Sequence, residues 1–339
     1  MILLTAFKNK KGKKMNIKIA SIGVHHPKNQ KDNHYYIQKF DNKEQITNLL
    51  EKTGRNKRFI VHDPDETVIT MATAASIKAL DEKNLSGNDI DIIIFASTTF
   101  EYLCPTNALI LHAHLNVKKD CVCFDLNANC LGMFLALDQA VLLLLSNERY
   151  KRALVIGADS MSRISHEHIP MPSTIIGDAA AALILEKTEG HFGGLIDRVY
   201  QTDSHFKDTI VYPPKGFSYT GNEENKKLDW GNFTGLDSVK FAIKQLNQLL
   251  EKHNLSIEQI SCFLFSQFTK ANIDTIRERA KINEDKIEYI GDQYGYTGAN
   301  SLFIAYESRL KKGLLKDGDF IILWTLGAGY QTGIMLWKL

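Results

Sequence analysis

The sequence predicts an α/β fold in which helices cover both faces of central β-sheets, arranged as two halves of similar make-up. Three observations carry this reading. Runs such as IIIFAS (92–97) and ALVIGA (153–158) are apolar without alternation, as expected of strands covered on both faces. Helix-period segments separate these runs. The chain has 339 residues, more than one compact pair of layers usually holds.

Taken in order, the first 14 residues, MILLTAFKNKKGKK, place apolar residues before basic ones, the reverse of a secretory signal, and no cleavage-site pattern follows. They read as a basic, disordered tail, and the second Met, Met15, opens the first strand at 17–22. A helix is predicted over 68–80, then strands over 90–96 and 121–125. LGMFLALDQAVLLLLS (131–146) is apolar almost all round, so this helix is predicted to lie inside the protein. Strands follow at 153–157 and 180–185, and TEGHFGG (188–194) punctuates the chain. The halves are therefore placed at 15–187 and 188–339. Beyond a polar stretch at 201–230, the second half reads as helix 237–253, strand 262–265, helices 273–280 and 301–311, and strand 320–326.

Composition excludes several classes of function. An apolar share of 44% without a long uninterrupted apolar run indicates a soluble protein, not a membrane-spanning one. A net charge of +2 with dispersed lysines gives no nucleic-acid stripe and no anionic-membrane surface. The five cysteines form no paired CxxC set, which suits a reducing, cytoplasmic compartment. There is no metal-ligand spacing and no phosphate-cradling glycine loop.

The most informative segment is CVCFDLNANCLGMFLALDQA (121–140). A strand ends, a short polar turn follows, and Cys130 stands at the head of the buried helix. There the thiol meets free backbone N–H groups and the positive end of the helix dipole, so its pKa is expected to fall. The other reading is a small buried cysteine held for packing. Cys104, Cys121, Cys123 and Cys262 read as structural.

Around Cys130 the chain resembles ketoacyl-acyl-carrier-protein synthase III enzymes of the thiolase-like superfamily. LLEKTGRNKRFI (49–60) is similar to their Thr-Gly-Ile-x-x-Arg segment, and IIIFASTTFEYLCPTNA (92–108) to their strand and following loop. RALVIGADSMSR (152–163) and STIIGDAAAALIL (173–185) resemble their next strands. YGYTGANSLFIAY (294–306) and LGAGYQTGIML (326–336) resemble their Tyr-Gly-Asn-Thr and terminal glycine-rich motifs, in the same order. The resemblance implies a five-layered α/β/α/β/α fold. It also implies an acyl group taken from a coenzyme A or acyl-carrier-protein thioester onto Cys130, with no bound cofactor. The N–H groups of Cys130 and Ala328 would form the oxyanion hole.

Two family residues differ. Without a gap, CFLFSQFTKANI (262–273) puts Ser266 at the family's histidine position, while a three-residue slide puts Thr269 there; the ungapped alignment keeps the strand length. Tyr296 stands at the asparagine position. A serine hydroxyl cannot take up a proton near pH 7 as imidazole does, so decarboxylative condensation is expected to be slow. Ser266 and Tyr296 are carried as catalytic candidates, and Lys52, His166 and His168 as candidate substrate contacts near the entrance. Glu101, His112, His114 and His205 read as surface or packing residues. The expected activity is acyl transfer through Cys130 to an acceptor in lipid or secondary metabolism. Two readings stand beside it: a condensing synthase with a modified site, and a degenerate partner subunit of an active homologue. A homodimer through the half bearing Cys130 is implied by the resemblance, with a heterodimer as the other possibility.

Overall fold

The computed structural model describes residues 15–190, 193–219 and 226–339; the tail assigned to 1–14 lies outside them. Two sheets organise the chain. One runs in the order Met15–His25, Ala179–Glu189, Arg152–Asp159, Ile92–Ala96, Val122–Leu126. Its last three strands are parallel, and Ala179–Glu189 is antiparallel to both neighbours. The other runs Ile260–Phe265, Phe320–Gly327, Gln331–Lys338, Gly194–Thr202, with only its first pair parallel.

Side-chain alternation along the strands turns these sheets into layers, because successive residues point to opposite faces. Ile93 and Phe95 face outward into a core with helices Val68–Asp81 and Asn107–His114, whereas Ile92 and Ile94 face inward. In the other sheet, Ile322 and Trp324 pack outward under helix Leu236–Lys252, and Ile321 and Leu323 pack inward. Between the two inner faces lie helices Gly132–Ser146 and Ser301–Lys311. The result is the expected helix, sheet, helix, sheet, helix stack. Residues 129–146 are long and apolar enough to cross a membrane by composition alone, yet Phe134, Leu137 and Leu144 are fully buried between the sheets.

Some elements carry weaker signals than the pattern rules detect. Gly194–Thr202 lies at a sheet edge with its apolar and polar residues in pairs instead of alternating, and its buried part is confined to its first residues. Gln331–Lys338 follows a glycine-rich turn. Within the stretch read as polar, Ile210–Val211 pairs with Asp229–Trp230 as a short ribbon. Helix Lys270–Ala280 starts before the predicted 273 because Thr269 caps it, its side chain accepting from the Asn272 N–H.

Candidate active site

The turn carrying Cys130 is built locally and then tied to the other half of the chain. Strand Val122–Leu126 ends, the Asn127 side chain accepts from the Asn129 N–H at 3.1 Å, and Asn129 takes a left-handed φ of 51°, which asparagine tolerates better than most residues. One tight turn, Asn129–Leu131, then feeds the buried helix. From the second half, Thr325 Oγ1 donates to the Cys130 carbonyl at 3.4 Å, and the Asn129 amide donates to the Ala328 carbonyl at 3.3 Å. Ala328 sits at the tip of the hairpin between the strands Phe320–Gly327 and Gln331–Lys338, so the two halves meet at this turn.

Three donors face the Cys130 sulfur: the phenol of Tyr296 and the backbone N–H groups of Ala328 and of Cys130 itself. Each favours the thiolate. Burial nevertheless outweighs them and pushes the thiol up to about 11, with the charge of Asp159 adding to the rise. The expectation of a lowered pKa is therefore corrected: the amide groups are present, but so many protein atoms surround the sulfur that its charged form is the costlier one. Cys130 is deep and yet open on one side, where it lines a cavity.

That cavity is about 70 Å³ and is walled by Met161, Trp230, Phe233, Phe268 and Tyr296, with the 327–328 backbone at its foot. No histidine lines it among the described residues. Tyr296 is held by its backbone, its N–H donating to the Ile175 carbonyl at 2.7 Å and its carbonyl accepting from Gly177 at 3.0 Å. Burial raises its phenol well above the ordinary value, with the neighbouring Cys130 adding to the rise. The Ser266 hydroxyl lies beside that phenol, fully buried, with no aligned hydrogen-bond partner of its own. Thr269, the other alignment's candidate, is occupied as the helix cap.

Beneath the site, Asp159 closes strand Arg152–Asp159 and accepts from the Thr98 N–H at 2.7 Å and the Ala299 N–H at 2.9 Å, joining a wall of the cavity to the turn after Tyr296. Burial lifts its carboxyl to about 6. Gly298 must be glycine here: its φ is 73° and a Cβ would lie 2.3 Å from an Asp159 oxygen.

The structure brings Cys130, Ser266, Tyr296 and Ala328 together but not the three proposed substrate contacts. Lys52 is exposed on the last turn of helix Lys43–Thr53, His168 is exposed, His166 is half-buried, and none of the three lines the Cys130 cavity. Sequence reasoning missed Asp159, whose signal was an acid ending an otherwise apolar strand, and the aromatic wall of Trp230, Phe233 and Phe268. These rings lie in polar surroundings in the sequence, and no periodic pattern marked them.

The chain is similar to known proteins over nearly its whole length. Residues 124–204 match the family model of 3-oxoacyl-[acyl-carrier-protein] synthase III, and residues 250–339 match the model of its C-terminal part. The β-ketoacyl-[acyl-carrier-protein] synthase III of Clostridium perfringens is 32% identical over 330 residues, covering 96% of this chain and 99% of that protein. That of Fusobacterium nucleatum is 31% identical over 336 residues, covering 95% and 99%. The crystal structure of the Aquifex aeolicus 3-oxoacyl-[acyl-carrier-protein] synthase III superposes with a TM-score of 0.83 at 26% identity, covering 96% of this chain and all of that one. With its thiolase-like layers, its cysteine elbow and these relatives, the chain belongs to the β-ketoacyl-acyl-carrier-protein synthase III family.

Proposed function

We propose that this protein is an acyltransferase that carries its acyl group on Cys130. The convergence of the Ala328 and Cys130 N–H groups and the Tyr296 phenol on one sulfur, at the head of a buried helix, is the observation that carries the reading. The Cys130 sulfur attacks the carbonyl of a coenzyme A or acyl-carrier thioester, the two amides stabilise the oxyanion, and the donor sulfur leaves with the proton that the thiol gives up. An acceptor then attacks the acyl-cysteine and returns the thiol. Tyr296 faces the acyl group as a hydrogen-bond donor in this scheme, with the Ser266 hydroxyl beside its phenol, and neither is a base near pH 7. That supports transfer to an acceptor over decarboxylative condensation, which needs strong donors for an enolate. Lys52, His166 and His168 would meet only the distant end of a long donor.

The same reading includes a homodimer through the half bearing Cys130. Strand Val122–Leu126 is an open sheet edge there, and Tyr102, Leu103 and Leu109 are among the most exposed large apolar residues. Sedimentation should give twice the chain mass of 38.3 kDa, and a Val122→Lys change at the edge should shift it toward the monomer.

The direct test is intact-protein mass after incubation with acyl-coenzyme A and acyl-carrier thioesters, for the wild type and Cys130→Ala. A stable gain equal to the acyl group, absent in Cys130→Ala, is expected. No gain with any donor from a folded protein sinks the transferase reading and leaves a non-catalytic partner subunit in front.

A further inference from the structure

Arg55 occupies an unusual place for a guanidinium. It is fully buried, and among the described residues no carboxylate is hydrogen-bonded to it, although the charge of Asp292 lies nearby. Its Nη2 donates to the carbonyls of Gln267 at 2.6 Å and Phe268 at 2.8 Å, and its Nη1 donates to the Tyr289 hydroxyl at 3.0 Å. Room for it is made by Gly291, where a Cβ would stand 1.9 Å from Nη1. In the Thr-Gly-Ile-x-x-Arg segment that this part of the chain resembles, the same position is an isoleucine. This chain thus places a buried cation behind the wall on which Ser266 stands in place of a histidine.

The two carbonyls that Arg55 grips belong to the residues immediately after Ser266. Gln267 spends its own side chain on the Ile290 and Gly291 N–H groups, at 2.9 and 3.1 Å, and on the Phe265 carbonyl. Phe268 is the hub of the aromatic wall: its ring lies 5.5 Å from Tyr296 in an edge contact, 6.1 Å from Trp230 and 5.7 Å from Phe233. A neutral apolar side chain at 55 would leave two buried carbonyls without their donor, and the loop would turn to find another.

We propose that Arg55 is a positioning residue of this site, fixing Phe268 and, through its ring, the phenol of Tyr296 against Cys130. The proposal rests on the acyl-transfer reading for its catalytic consequence. Its structural part, the hold on Phe268 and Trp230, stands apart from that reading.

The test uses the full chain and two readouts. The first is acrylamide quenching of tryptophan fluorescence, with Trp230→Phe as the control that assigns the signal, since Trp324 and Trp337 are fully buried. Arg55→Met, folded by circular dichroism, is expected to raise quenching at Trp230. The second is the decay of acyl-Cys130 relative to its formation, with acetyl-coenzyme A as donor and N-acetylcysteamine as a simple thiol acceptor. Arg55→Met should lower this ratio by about tenfold to a hundredfold, the scale of an ångström-sized misplacement. A folded Arg55→Met with wild-type quenching and a wild-type ratio overturns the proposal. Should Arg55→Met not fold, Arg55→Lys and Phe268→Leu carry the test: a lowered ratio in both supports it, and a wild-type ratio in either overturns it. If the wild type itself forms no acyl-enzyme, the transferase reading fails, while the quenching experiment still decides whether Arg55 holds the aromatic wall.

Discussion

At Cys130 two opposing effects act on one sulfur atom. Two amides and a phenol favour the thiolate, while the surrounding protein disfavours any charge, and burial wins by raising the thiol to about 11. Below that value the thiolate fraction grows about tenfold per pH unit. The rate of iodoacetamide labelling at Cys130, followed by peptide mass spectrometry, should therefore climb steadily from pH 7 and level only near 11. A plateau near 8.5 would show instead that the amides prevail. Cys130 itself was legible because its signal is local: a strand, a turn and an apolar helix in one segment. The sign of its shift was not legible, because it is set by burial under the tertiary packing and by the charge of Asp159, which no local pattern around Cys130 encodes.

Two helices show how differently an element can be held. Gly132–Ser146 has no side-chain cap at its start and is stabilised by burial over most of its surface, with Leu137 fully enclosed between the sheets. Leu137→Ala should cost about 2–5 kcal/mol, through lost apolar burial and the cavity it leaves. Lys270–Ala280 lies at the surface with only Asn272, Ile273 and Ile276 buried, and it depends more on its cap. Thr269→Ala should cost about 1 kcal/mol. Denaturant midpoints of the two variants, at equal slopes, check both the sizes and the order. The central helix could be read from composition because an all-round apolar helix has few other places to go. The start of the second helix was misplaced because capping outweighs the apolar pattern at its first turn.

On the scale of the whole molecule, the seam between the halves is aromatic as well as polar. His26, from the first half, stacks on Tyr294 of the second at 4.2 Å between ring centres, with Phe59 beside them. Burial, with His25 and Lys78 nearby, holds its imidazole down at about 3 instead of 6.5. A depressed histidine contributes stability that is fully present above 6.5, where both folded and unfolded chains are neutral. That stability is lost as the pH falls toward 3, because only the unfolded chain takes up the proton. The melting temperature of His26→Phe, which keeps the stack, should fall less than that of the wild type between pH 6.5 and 4; parallel curves would place the acid sensitivity elsewhere.

What the sequence determined by itself is what neighbours along the chain can encode: the buried strands, the apolar central helix, and a cysteine at an elbow. The order of motifs along the chain also sufficed to place it in a family of layered folds. The tertiary structure alone decided which side chains meet. Arg55 reaches the carbonyls of Gln267 and Phe268 across more than 200 positions, and the Ser266 and Tyr296 hydroxyls come together from separate turns. The aromatic wall, the buried cation and the raised thiol follow from that packing. Desolvation and hydrogen-bond geometry depend on distance in space, and linear order constrains that distance only through the fold.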